Sequence, residues 1–372
     1  MGAVSALALG GVALAGSLPA TGAASPAVVA APATASTDAP VVAVAAAKKT
    51  KKVTTIKKCK TGKNGKKTCK TITRGKPPVT SPRPTTSTPD PTTSTPTPTT
   101  TTPIPTTSTP QPSTPLVNNT YAVTREAAFN SREHVVFRPS DPAAVGRPMP
   151  VLAFGNGACA HNNGSEVIGL LSAIAAKGIV IVDTANMSGS GTGNTDGSPI
   201  PAILTRAISW AETENNRAGS PLQGRLDLTR VATAGHSCGG LEALVAGADP
   251  RVKAVISLDS GLFADASFGY SRAELQKLHS PVMFMDGGSG DIAYDNTRAN
   301  YDLVNHVPAV NVSNSFAGHT GFITGQQRGD AVTVVVQFLD AVLNGQSSAK
   351  SFIVDPSGLA SRQGWSVRSK NW

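Results

Sequence analysis

The ten residues from Val231 to Gly240, VATAGHSCGG, constrain this chain more than any other stretch. A β-prone run meets Gly-x-Ser-x-Gly, and an apolar helix-like stretch follows from Leu241 to Ala248. A strand that enters a helix through so tight a turn holds its central serine in a strained conformation with the hydroxyl thrust outward. Side chains at 235 and 239 would collide with the strand or the helix, so sterics demand glycine at both. The pattern alone is weak, since a chain with 36 Gly meets it by chance. Its meaning depends on what lies where Ser237 would need it.

Charge divides the chain. Of 33 Lys and Arg, 14 precede residue 116, with only two of the 23 Asp and Glu. The remainder holds 19 bases and 21 acids. The basic character belongs to a tail, so the overall net charge of +10 gives no reason to expect a specific nucleic-acid partner. Residues 1–24 read as the apolar and cleavage regions of a secretory signal peptide, although no Lys or Arg precedes the apolar run. An Ala-rich low-complexity leader is the alternative. A secreted, cell-wall-associated location is the expectation that follows.

Residues 25–76 are Ala/Pro-rich and then Lys-rich. Two Thr/Ile/Lys runs flank Asn64-Gly65, a strong short-range hairpin signal. Cys59 and Cys69 sit one on each arm, where a disulfide would staple a hairpin that is marginal alone. The segment reads either as a cationic clip for an anionic cell-envelope polymer or as a solvated basic tail. Residues 77–117 repeat Thr/Ser/Pro units, a linker that cannot bury enough apolar surface to fold.

This leaves 118–372 as one folded body. Strands are expected at 134–138, 150–154, 179–182, 252–258, 282–285 and 309–312, besides the strand entering the Ser237 turn. Helices are expected after Asn162 or Asn163, over 201–214, and over 330–343. Alternation of this kind predicts an α/β fold, a mostly parallel sheet covered on both faces.

A serine nucleophile needs a base, an orienting acid and donors for the oxyanion. Of six histidines, His134 and His279 belong to or adjoin strands, His306 ends a helix, His236 is inside the turn, and His161 precedes it. His319 alone lies on a loop C-terminal to every other candidate part. Three aspartates follow strands beyond the turn. Asp291, out in a Gly-rich loop, ranks ahead of Asp286 at a strand exit and Asp259 after an earlier strand. The oxyanion donors fall to the amides of Cys238, after the serine, and Ala158, in the loop after 150–154. If both assignments hold, Cys159 and Cys238 come together beside the oxyanion, either as a disulfide or as two buried thiols, the bridge being favoured. No metal-ligand cluster or cofactor motif is expected.

Asp227-Leu228-Thr229-Arg230 running into the Gly-His-Ser-Cys-Gly-Gly turn resembles the α/β-hydrolase superfamily, in its dienelactone-hydrolase-like, cutinase and polyester-hydrolase branches. Residues 281–293 resemble the acid loop of those enzymes and Gly318-His319 their base loop, and the likeness covers about 122–343. It implies an eight-stranded sheet, no cofactor, and hydrolysis of an ester substrate through an acyl-enzyme by a chain read here as a monomer. Asn156-Gly157 stands where many members have His-Gly. For a substrate wall the candidates are His236, Phe263 and Phe322, with Phe268 and Tyr270 nearby. Readings that keep the same residues are an acyltransferase or amidase; one that does not is a non-catalytic envelope-binding protein.

Overall fold

The computed structural model describes residues 55–61, 67–73 and 115–372, apart from Asn163. The expected leader at 1–24 and almost all of the linker lie outside the described residues. The chain divides into two units, 1–101 and 102–372.

In the first unit, β1 (Thr55–Thr61) and β2 (Lys67–Thr73) form the expected antiparallel pair. Its register sets Cys59 opposite Cys69 and Lys58 opposite Lys70.

The second unit is a mixed α/β body around one sheet. Its strands are β3 (Val123–Ala127), β4 (Val135–Pro139), β5 (Met149–Gly155), β6 (Val180–Asp183), β7 (Leu226–His236), β8 (Val252–Leu258), β9 (Val282–Asp286), β10 (Ala309–Asn314) and β11 (Trp365–Lys370). They lie in the order β11-β10-β9-β8-β7-β5-β6-β4-β3. The five pairings from β6 through β5, β7, β8 and β9 to β10 are parallel, and β3, β4 and β11 pair antiparallel at the edges. The described sheet therefore has nine strands where eight were expected, because β11 returns beside β10 after the point where the sequence signal fades.

The central strands are buried on both faces, and alternation along them builds two cores. Leu152, Phe154, Ile256 and Met285 point to one side, under α1 (Ser165–Ala175), α5 (Arg328–Leu343) and α6 (Ser347–Val354). Val151, Ala153, Val255 and Phe284 point to the other, under α2 (Ala202–Asn216), α3 (Cys238–Ala246) and α4 (Tyr294–Leu303). Helix α1 starts after Gly164, with no side-chain cap, rather than after Asn162 or Asn163. Leu116 is fully buried and its amide donates to Asp340 at 2.9 Å, so the body takes in Leu116 and Val117 as well.

The chain runs from β5 outward to β6 and then returns across β5 to β7. Strand order thus reverses between β5 and β7, and the carboxyl ends of such a pair are where open α/β sheets bind their ligands. The Ser237 turn and the loop after β5 meet there.

Candidate active site

Ser237 leaves β7 with φ 53° and ψ −120° and stands at the N-terminus of α3. A non-glycine residue in that region costs about 1–3 kcal/mol and persists only where its surroundings over-determine it. They do so here. The Ser237 amide donates to Leu258 O at 2.9 Å, and the Ser260 hydroxyl donates to Ser237 O. A Cβ on Gly235 would sit 2.2 Å from Gly239 O, and one on Gly239 would sit 2.0 Å from Gly155 O. Three backbones therefore stack at the carboxyl ends of β5 and β7, and the steric demand read in the motif extends to Gly155 on β5.

His319 lies on the loop after β10. Its Nδ1 donates to Asp291 Oδ1 at 2.6 Å, and its Nε2 is 3.1 Å from Ser237 Oγ, in place to accept the hydroxyl proton. The loops carrying Asp291 and His319 are zipped together, with Gly318 N donating to Gly287 O at 2.9 Å. A Cβ on Gly287 would lie 2.0 Å from Gly318 O, so that close approach requires glycine. Asp291 is buried, which opposes its ionisation. Hydrogen bonds from His319, the Ala293 amide and the Gly287 amide help outweigh burial, and its carboxyl is held below the usual range.

Asp286 ties β9 to β10 instead. It accepts from Asn311 Nδ2 at 2.8 Å, from the Ser313 hydroxyl, and from the Gly288 amide at 3.1 Å. Asp259 directly follows β8, is wholly buried, and makes no hydrogen bond to His319. Of the three aspartates, Asp291 is the one that holds the imidazole.

The loop after β5 is the second strained element. Ala158, Cys159 and His161 all have φ near +50°, at 58°, 52° and 48°. Four anchors hold them. Cys159 is joined to Cys238 by a disulfide, with Cα atoms 5.2 Å apart. His161 Nε2 meets both oxygens of Glu242 on α3 at 2.8 and 2.9 Å, and both side chains are fully buried. Asn156 Nδ2 donates to Asp183 Oδ1 at 2.7 Å, and Gly193 N donates to Ala160 O at 3.1 Å. Glu242 also receives the Ile200 amide, so one buried carboxylate fixes two loops at once.

The amides of Ala158 and Cys238 donate no hydrogen bond to any described residue. A Cβ on Gly157 would be 3.6 Å from Ser237 Cβ, which brings this loop against the serine. Two unclaimed N–H groups thus flank Ser237, one of them at the positive end of α3.

His236 and Phe322 do not line a surface. His236 is buried, and its Nε2–H donates to His319 O at 2.7 Å. Burial pushes its ring down to about 4, so it is neutral near pH 7 and braces the base loop from the elbow. Phe322 is fully buried and stacks on Trp365 with ring centroids 5.9 Å apart, in the core beneath the loop. Phe263 is exposed and pairs with Phe268 at 5.3 Å. With Met187, Ile292 and Phe316 these are exposed apolar side chains on loops leaving the carboxyl ends of β6, β8, β9 and β10. Glu242 was missed in the sequence, although an acid within an otherwise apolar helix is a signal for a buried partner.

No protein-family model matches the chain, and a search of curated proteins found no match.

Proposed function

We propose that this chain is a secreted serine ester hydrolase of α/β-hydrolase type, acting through an acyl-enzyme on Ser237. The observation that carries the reading is the hydrogen-bonded series Asp291–His319–Ser237 beside two unclaimed amides. His319 Nε2 takes the hydroxyl proton as Ser237 Oγ attacks the ester carbonyl carbon. The oxyanion accepts from the Ala158 and Cys238 amides, a pair in which each donor is worth roughly 3 kcal/mol. Collapse expels the alcohol, which receives its proton from His319. Water, deprotonated by the same nitrogen, then attacks the acyl carbonyl, and the carboxylic acid leaves as Ser237 recovers its proton.

Asp291 keeps the imidazole in the Nδ1–H tautomer and stabilises the imidazolium formed at each step. The apolar side chains on the surrounding loops favour an ester with a hydrophobic acyl or alcohol part. The Cys159–Cys238 disulfide supports an oxidising compartment and so secretion.

The test is a chain-length series of p-nitrophenyl esters, run beside a polyester film, with Ser237→Ala as control. The expected result is turnover lost by roughly 10⁴-fold or more in the variant. Equal rates for the two proteins would overturn the reading.

A further inference from the structure

The hydrogen-bonded series does not end at Asp291. Behind it stands Asp259, the first residue after β8, held at φ 47° and wholly buried. Neither of its carboxyl oxygens receives a well-formed hydrogen bond from any described N–H or hydroxyl group. The nearest candidates are committed elsewhere. His236 Nε2 is 3.6 Å from Asp259 Oδ2 but donates to His319 O, and the Gly287 amide donates to Asp291 Oδ2 at 3.3 Å. The polar groups left within hydrogen-bonding reach are the carboxyl of Asp291 and the Gly287 amide that the two carboxyls share.

Two carboxylates in such contact would only accept and repel, and an unpaired charge without solvent is costly. One proton resolves this, and the surroundings decide which residue holds it. Asp291 has His319 and two backbone amides as donors, whereas Asp259 has burial and the nearby charges of Asp291 and Asp286 against its ionisation and only the Gly287 amide in favour of it.

We propose that Asp259 is a positioning residue for the ester hydrolysis argued above: a neutral carboxyl whose hydroxyl donates to Asp291 and fixes that carboxylate against His319. Its place in the fold suits this. The loop ends of β8 and β9 put Asp259 and Asp291 side by side, and an O–H donor behind the acid leaves it one oxygen free for the imidazole. The titratable groups facing the pair are Asp286 from β9, His236 from β7 and His319 from the base loop.

The inference rests on the proposed function, so its test has one arm that reads no activity. Infrared spectra of the whole protein at neutral pH should contain a protonated-carboxylic-acid carbonyl band that disappears in Asp259→Asn. In the second arm, kcat/KM for a p-nitrophenyl ester is followed against pH. Asparagine can donate to Asp291 but cannot ionise. Asp259→Asn should keep activity within about threefold at pH 7, as a conserved hydrogen bond predicts, and its profile should no longer carry any ionisation of Asp259.

Asp259→Leu removes the donor. Its activity should fall by roughly tenfold or more, as for a lost hydrogen bond to a charged group. A band unchanged in Asp259→Asn, or a leucine profile superimposable on the parent, overturns the inference. If Asp259→Leu fails to fold, the band and the asparagine profile still decide. An inactive parent that nevertheless loses the band in Asp259→Asn would sink the esterase reading instead.

Discussion

Cys159 and Cys238 are joined across 79 residues of sequence, and the bridge ties together the two backbone segments whose free amides flank Ser237. The strained Ala158–His161 loop and the N-terminus of α3 cannot separate while it is intact. Chain-entropy arguments assign a loop of this length roughly 4 kcal/mol of stability. Reduction, or Cys159→Ala with Cys238→Ala, should therefore lower the melting temperature. It should also lower kcat more than it changes KM, because it loosens donors that act chiefly in the transition state. Enzyme assays with intact-mass confirmation of the reduced state check this, and an unchanged kcat would contradict it.

The glycine stack should be intolerant at one position and indifferent at another. Gly239→Ala drives a methyl to within 2.0 Å of Gly155 O and should yield little folded protein. Gly329, in the first turn of α5, has nothing within 4 Å of an added Cβ. Gly329→Ala should be neutral or stabilising by up to about 1 kcal/mol. Thermal unfolding of the two variants makes the comparison.

His236 gives stability a pH dependence of definite sign. Its folded-state value near 4 lies below the unfolded value near 6.5, so the unfolded chain binds the proton more readily. The contribution is complete above about pH 6.5 and is lost as pH falls toward 4, by about 3 kcal/mol in total. His236→Gln can still donate to His319 O and should flatten the stability profile between those limits. Urea unfolding at pH 7, 5.5 and 4 measures it, and parallel profiles for the two proteins would contradict it.

The hairpin unit carries its own expectation. The two strands pair in register around a lysine-rich sequence, which the cationic-clip reading takes as a binder of anionic polymer. Deleting residues 48–76 should abolish salt-sensitive retention on an anionic envelope polymer and leave ester hydrolysis unchanged. Co-sedimentation at two salt concentrations, with activity measured in parallel, reads both halves.

The parts of the site that depend on local backbone chemistry were legible in the sequence. Gly235 and Gly239 announce the turn at Ser237, the Gly-rich run at 287–290 announces the Asp291 loop, and Gly318 precedes the imidazole that reaches back. Even the pairing of Cys159 with Cys238 followed from placing two loops beside one serine. What stayed hidden depends on direction or on distant partners. Phe322 is three residues from His319, but nearness in the chain does not say that its ring turns inward onto Trp365. The edge strand β11 reads as WSVRSK, polar enough to pass for a tail until β10 offers it a register. The His161–Glu242 contact joins positions 81 apart, and neither residue alone specifies the other.

The central claim is that Ser237 is a nucleophile made reactive by His319 and Asp291. A fluorophosphonate probe applied to the native protein at neutral pH, followed by peptide mass spectrometry, tests it most directly. The account predicts one label per chain, on the peptide bearing Ser237, absent in Ser237→Ala and strongly slowed in His319→Ala. A native, folded protein that takes no label, or takes it on another serine at equal rate in all three proteins, would contradict it.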